Sequence, residues 1–112
     1  LHAKFEEIYT DLVEKVDEIA ERILTLGYTP HNGYSQYFKD SRIKEELGVS
    51  DAHSCLKGTL DGLKVLLEQQ REILELAGES DDEGTASQMS DYIKEQEKLI
   101  WMFQAACQTC HA

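Results

Sequence analysis

Three side chains in the first part of the sequence, His2, Asp17 and Glu21, are of the types that bind metal ions. Carboxylate oxygens combined with an imidazole nitrogen suit iron. Asp17 and Glu21 are four residues apart, so in a helix both carboxylates project from one face within about 6 Å of each other. His2 lies fifteen residues before Asp17, which is roughly 22 Å along a helix axis. One chain therefore cannot hold one ion with all three. Two antiparallel copies of the helix can, with His2 of one copy meeting Asp17 and Glu21 of the other.

The pattern of residues 1–27 predicts one long helix that carries these side chains. Gly27 should end it, because glycine readily takes the left-handed conformation at a helix C-terminus. On the alternative interpretation the polar residues form an ordinary solvated face, on which Glu18 and Arg22 make an ion pair one turn apart. Apolar residues recur at steps of three and four, as on a core-facing helix: Phe5, Ile8, Tyr9, Leu12, Val16, Ile19, Ala20 and Ile23.

The rest of the chain predicts one short and two long helices, and hence an all-α fold in a single domain, residues 1–112. Residues 28–49 are too long for a plain loop and carry enough apolar residues for a short helix or two turns. The next helix should begin after an N-cap at Ser50 and stop at Gly78, and the spacing of Gly58 and Gly62 would permit the close approach of another helix. The last helix should occupy about residues 85–106. Its expected stripe is Ala86, Met89, Ile93, Gln96, Ile100 and Phe103, flanked by Tyr92, Leu99 and Trp101.

Charge and composition narrow the possible partners. Acidic residues outnumber basic ones by 22 to 11, giving a net charge of −11. Such a field repels nucleic acid and attracts cations. No stretch reaches the ~20 apolar residues of a membrane span, and we expect no signal peptide. Three cysteines do not make a secreted disulfide framework, so we expect a reducing cytoplasm.

Two runs of the sequence resemble one known family, the Dps miniferritins, which are DNA-protecting relatives of ferritin. The runs are LHxxFEExYxxLxxxxDEIAERIxxLG at residues 1–27 and DEGTASQMSDYIKEQEKLIWM at residues 82–102. The resemblance implies a ferritin-like helical bundle that assembles into a hollow dodecamer, oxidises Fe(II) with hydrogen peroxide and stores ferric mineral. It implies that His2, Asp17 and Glu21 are ligands of an iron-oxidising centre shared between two-fold-related subunits. It also implies that acidic residues line iron-entry pores, for which Asp91 and Glu95 are our preferred pair.

The sequence departs from that family at its start. Family members carry a first helix and a further ligand His ahead of the position of His2, and this chain begins after both. We therefore expect an N-terminally incomplete bundle, with three of the long helices and the short connecting helix present. Another segment of the polypeptide or another subunit should cover the apolar groove.

Cys107, Cys110 and His111 spell CxxCH, the pattern that attaches c-type haem. Haem attachment requires export and the motif lies at the end of the sequence, so we expect no haem. An adventitious metal, a redox-active thiol pair and an inert tail remain open. Near the start of the second long helix, His53 is expected to be a solvated residue and Cys55 a small buried one.

A rival hypothesis belongs to another functional class: a non-enzymatic helical adaptor or shell protein whose acidic face recruits partners. The two hypotheses are distinguished by the run DEIAE at residues 17–21, which begins fifteen residues after His2. A partner-binding helix does not require this spacing. The preferred interpretation is a cytoplasmic homo-oligomer that takes Fe(II) and hydrogen peroxide, with no direct DNA binding by this chain and no membrane association.

Overall fold

The computed structural model describes residues 2–107, which form four α-helices and no strand. They are α1 (His2–Thr25), α2 (Tyr34–Asp40), α3 (Ala52–Glu79) and α4 (Glu83–Ala106). The predicted all-α class, with three long helices and one short connecting helix, is confirmed. Among residues 2–107, each helix is too short or too polar to span a bilayer. The chain divides after Asp40 into two compact units, which are described separately below.

In the first unit, α1 ends at the predicted glycine. Gly27 has a φ of 91°, in the left-handed region that glycine adopts without a steric penalty. Its N–H donates to the carbonyl of Leu24, and the N–H of Tyr28 donates to the carbonyl of Ile23, both at 3.0 Å. This pair of bonds is the Schellman motif, which satisfies carbonyls that the helix end leaves without partners.

The apolar stripe predicted for α1 is only partly buried in this chain. Ile8 is buried, whereas Tyr9 is 71% exposed and Val16 is 61% exposed. The second buried residue of α1 is a charged one, Lys15, whose ammonium group pairs with Asp11 at 2.7 Å. A lysine can bury its aliphatic stem while its charge stays paired. The described residues therefore leave much of this stripe uncovered.

Helix α2 lies inside the predicted connection and is held by local polar contacts. Oε1 of Gln36 accepts hydrogen bonds from the N–H groups of Asn32 and Gly33, each at 3.2 Å. Nε2 of His31 lies 3.0 Å from Oδ2 of Asp40, so the loop before α2 is tied to its last residue. None of the residues of α2 is buried, which leaves these polar contacts as the main support of the helix.

In the second unit, α3 begins one residue later than the sequence predicted. The N-cap is Asp51 and not Ser50: its carboxylate accepts a hydrogen bond from the N–H of Ser54 at 2.9 Å. Asp51 has extended backbone dihedrals, φ −81° and ψ 149°. From that conformation the side chain reaches the third helical N–H.

The predicted stop of α3 at Gly78 was also wrong. The helix passes through Gly78 to Glu79, and the left-handed residue that ends it is Asp81, with a φ of 56°. The N–H of Asp81 donates to Gly78, and the N–H of Asp82 donates to Ala77 at 2.8 Å. This is a second Schellman motif, with an aspartate in the position that glycine holds at the end of α1.

Helices α3 and α4 pack antiparallel. His53 at the start of α3 contacts Cys107 at the end of α4, and Arg71 and Glu97 form an ion pair near the middle at 3.1 Å. Buried positions on both helices follow steps of three, four or seven, as in a coiled-coil seam: Leu60, Leu63, Gln70 and Ala77 on α3, and Met89, Tyr92, Gln96, Ile100 and Phe103 on α4. Tyr92, predicted to flank the stripe, is thus buried, whereas Ile93, predicted within it, is half-buried.

Residues 41–49 pack against α3 at its two inner glycines. A Cβ on Gly62 would lie 3.8 Å from Cδ1 of Ile43, and one on Gly58 would lie 3.4 Å from Oε2 of Glu46. The helix approach expected at these glycines is not seen among the described residues, because the neighbour is a non-helical segment. Arg42 anchors the same segment through an ion pair with Glu72 at 2.7 Å.

Candidate metal centre

Helix α1 places Asp17 and Glu21 as the sequence predicted. Both are exposed, and in an unbroken helix two residues four apart differ by roughly 40° around the axis. The helix is unbroken to Thr25, whose hydroxyl donates a hydrogen bond to the carbonyl of Glu21 at 2.7 Å. The two carboxylates therefore form one acidic pair on a single face, open to a partner.

His2 stands at the other end of the same helix. It is the first residue of α1 and is exposed. Because the helix is continuous to Thr25, His2 lies roughly 22 Å from Asp17 along the axis and roughly 60° away around it. Within residues 2–107, no three His, Cys, Asp or Glu side chains come close enough to hold a metal ion. The three predicted ligands therefore share a side of α1 but do not meet in one chain.

Glu6 is a candidate that the sequence reasoning missed. It follows His2 by four residues in α1 and is exposed, so its carboxylate and the imidazole lie on one face. The spacing repeats that of Asp17 and Glu21, and this repetition is the signal that would have found it. Each end of the helix thus presents two potential ligands, an imidazole with a carboxylate at one end and two carboxylates at the other.

A shallow acidic depression adjoins the amino-terminal pair. It measures about 460 Å³, and all its lining residues belong to α1: Ala3, Glu6, Glu7, Thr10, Asp11 and Glu14. Most of these side chains are acidic, so the depression is electrostatically suited to cations. The ammonium groups of Lys4 and Lys15 partly offset this charge by pairing with Glu7 and Asp11.

The predicted pore pair, Asp91 and Glu95, lies on α4. Both are exposed and stand one helical turn apart, so the two carboxylates project from one side of the helix. A pore between subunits requires other copies of the chain. In the single chain these residues form an acidic patch on an exposed surface.

The CxxCH motif is only partly described. Cys110 and His111 lie outside the described residues, whereas Cys107 is the C-cap of α4 and is buried. Sγ of Cys107 lies 3.7 Å from Nδ1 of His53. His53 is exposed as expected, but it also contacts the end of α4, which the sequence reasoning did not foresee. Cys55 is a free, half-buried cysteine.

Comparison with known proteins assigns the chain to a family. The profile of the ferritin-like domain matches residues 1–112. The DNA protection during starvation protein of Porphyromonas gingivalis is 45% identical over 105 residues, which cover 94% of this chain and 66% of that protein. DNA protection during starvation protein 2 of Bacillus anthracis is 35% identical, over 94% of this chain and 72% of that protein. The chain belongs to the Dps family of ferritin-like proteins.

A solved Dps structure agrees with this assignment. The Dps protein from Vibrio cholerae O1, described as a member of a broad superfamily of ferritin-like diiron-carboxylate proteins, matches with a TM-score of 0.90 at 60% identity. The match covers 93% of this chain and 65% of that one. The predicted ferritin-like fold and the Dps resemblance are thereby confirmed. This Dps-family chain spans 65 to 72% of the length of these three relatives.

Proposed function

We propose that the protein stores and detoxifies iron, by oxidising Fe(II) at a centre shared between two subunits and holding the ferric product in a dodecameric shell. The observation that carries this proposal is the layout of α1. A single unbroken helix, His2–Thr25, presents two separated groups of iron-competent side chains on one exposed side. Membership of the Dps family supports the same function.

The separation of the two groups explains why the site needs a second subunit. In a two-fold pair with antiparallel α1 helices, the amino-terminal group of one helix faces the carboxyl-terminal group of the other. Two-fold symmetry makes the contact self-complementary, so each pair of subunits contains two identical centres. Asp17 and Glu21 bind iron from one subunit, and His2, with Glu6 beside it, completes the ligand set from the other. Because free subunits lack the complete site, they do not catalyse the oxidation.

Fe(II) and hydrogen peroxide are the two substrates in this proposal. Two Fe(II) ions each give up one electron, and one peroxide molecule takes both electrons and two protons to leave as two water molecules. Carboxylate oxygens favour the ferric product because hard oxygen ligands suit the more highly charged ion. A ligand set of few protein groups also leaves coordination positions open to the oxidant.

The acidity of the chain suits the delivery of iron. The net charge of −11 attracts cations to the protein. In the proposed shell, Asp91 and Glu95 line the pores through which Fe(II) enters. Their exposure on one side of α4 fits this role.

Protection of DNA is the property named in two of the relatives. In this proposal the protein protects DNA by removing reactive substrates and not by binding to the DNA. Fe(II) and peroxide together generate hydroxyl radicals that cleave DNA, and the proposed reaction consumes both. A cytoplasmic location fits this role. Direct binding to DNA is not part of the proposal for these 112 residues, because their net charge repels phosphate.

The decisive variant is Asp17→Asn with Glu21→Gln. Fe(II) is added to the purified protein with and without peroxide, and ferric absorbance is followed in the ultraviolet. We expect the rate to fall to that of protein-free buffer, because the removed carboxylates are the iron ligands. The helix content should not change. Glu68→Gln with Glu75→Gln is the matched control, since it removes the same charge from exposed positions of α3 and should oxidise iron at the wild-type rate.

Three outcomes would count against the proposal. If the Asp17→Asn, Glu21→Gln variant oxidises iron at the wild-type rate, the iron site lies elsewhere. If the control loses as much activity as the site variant, net charge and not ligation governs the rate. If the wild-type protein does not accelerate oxidation at all, the non-enzymatic adaptor hypothesis replaces this one.

A further inference from the structure

Two buried glutamines lie in the seam between α3 and α4. Gln96 is completely buried and Gln70 is 8% exposed. Three of their amide atoms have no hydrogen-bond partner among the described residues: Oε1 of Gln70, and Oε1 and Nε2 of Gln96. Burial of a carboxamide is strongly unfavourable unless its polar atoms are hydrogen-bonded. The seam therefore contains two acceptors and one donor that require polar partners.

The two amides belong to turns of α3 and α4 that an ion pair joins. Arg71 and Glu97, the residues that directly follow Gln70 and Gln96, are joined by an ion pair at 3.1 Å. This bond ties the turn of α3 that contains Gln70 to the turn of α4 that contains Gln96. The two glutamines do not bond directly to each other, because neither amide atom of Gln96 has a partner in the described range.

The surroundings of these two amides are both apolar and polar. Gln70 lies seven residues from Leu63 and from Ala77 in the seam, and Gln96 lies four residues from Ile100. On its other side, also four residues away, is Tyr92, whose hydroxyl accepts a hydrogen bond from Nε2 of Gln88 at 3.1 Å. This separate hydrogen bond joins Tyr92 to the half-buried Gln88.

We propose that Gln70 and Gln96 form an internal binding site for ordered water between α3 and α4. A water molecule can donate to Oε1 of Gln70 and accept from Nε2 of Gln96, and a second can donate to Oε1 of Gln96. Internal waters usually make two to four such bonds, which matches the donors and acceptors present. An apolar occupant is excluded because it would leave all three amide atoms unpaired.

Such a site would fix the register of the two helices. An apolar seam can shift by one turn at moderate cost, because one aliphatic side chain packs much like another. A shift in this seam would move each amide away from its water and against aliphatic side chains. A single polar position in a coiled-coil seam selects one register in the same manner.

A thermal double-mutant cycle tests whether the amides act together. The variants are Gln70→Met, Gln96→Met and the double variant, since methionine keeps the length of the side chain. Each single change should lower the Tm by several degrees, because it leaves the other amide and its water without partners. The double change should recover much of that loss, because no unpaired amide remains. Gln69→Met, at the neighbouring half-buried position of α3, is the control and should change the Tm little.

Other results of the cycle would overturn the proposal. If each single change raises the Tm, the amides are unsolvated and their removal relieves a cost. If both single changes lower the Tm and the double change is additive, the amides do not share an occupant. A crystal structure of the wild-type protein provides a second test that needs no variant. It should show water within hydrogen-bonding distance of both amides, and a protein group or an empty space at that position would contradict the proposal.

Discussion

Thr85 donates two hydrogen bonds to the carboxylate of Asp82, from its N–H to Oδ1 at 3.1 Å and from its hydroxyl to Oδ2 at 2.6 Å. The carboxylate caps the first turn of α4 and faces the positive end of the helix dipole. Asp82→Ala should therefore lower the free energy of unfolding by about 1 to 2 kcal/mol. Asp82→Ser, which keeps a capping oxygen, should lose much less. Urea denaturation of both variants measures the difference, and equal stability of the alanine variant and wild type would show that the cap does not contribute.

Substitutions at the left-handed residues that follow α1 and α3 should change the free energy of unfolding in opposite directions. Asp81 holds a φ of 56°, which a side chain disfavours and glycine does not. Asp81→Gly should raise the free energy of unfolding by roughly 0.5 kcal/mol. Gly27→Ala should lower it by roughly 1 kcal/mol, although no atom lies within 4 Å of the added Cβ. If denaturation shows both changes to have the same sign, backbone conformation does not govern these two helix ends.

The N-cap of α3 predicts that the stability of the protein depends on pH in the acid range. The N–H of Ser54 holds the pKa of Asp51 below its usual value of 3.8. A carboxyl whose pKa is lowered by folding stabilises the protein above its unfolded pKa, and this stabilisation is lost as the pH falls through the folded value. Asp51→Asn keeps the capping acceptor but cannot ionise. The wild type should therefore exceed the variant in urea midpoint at neutral pH and lose that advantage in acid below 3.8. An advantage that is the same at every pH would contradict this.

The features that the sequence predicted correctly depend on local geometry. Gly27 ends α1 because a left-handed residue is needed there, and the spacing of Asp17 and Glu21 determines that they share a face once the helix forms. Gly78 was misleading because a glycine inside a helix does not end it unless its own φ becomes positive. Periodicity alone does not distinguish a polar residue in the seam from one outside it. The buried position of Gln70 was missed for this reason, although Gln96 was placed correctly in the stripe of α4.

Duplex DNA should not be retarded by this chain in a gel at about 150 mM salt. The described helices carry acidic faces, and the net charge of the 112 residues is −11. A second gel with millimolar Mg²⁺, which screens the carboxylates, tests whether charge repulsion alone keeps the protein from the DNA. Tight binding that weakens steeply with added salt would reveal a phosphate-binding surface and contradict the expectation.

The central claim, that each iron site is shared between subunits, is tested most directly by mixing two inactive variants. One carries Asp17→Asn with Glu21→Gln, and the other carries His2→Ala. Each alone should oxidise Fe(II) slowly, because every site then lacks ligands. After the subunits are dissociated, mixed in equal amounts and reassembled, half of the two-fold pairs are hybrids with one complete site each. The account predicts recovery to about a quarter of the wild-type rate, and no recovery in hybrids shown to have co-assembled would contradict it.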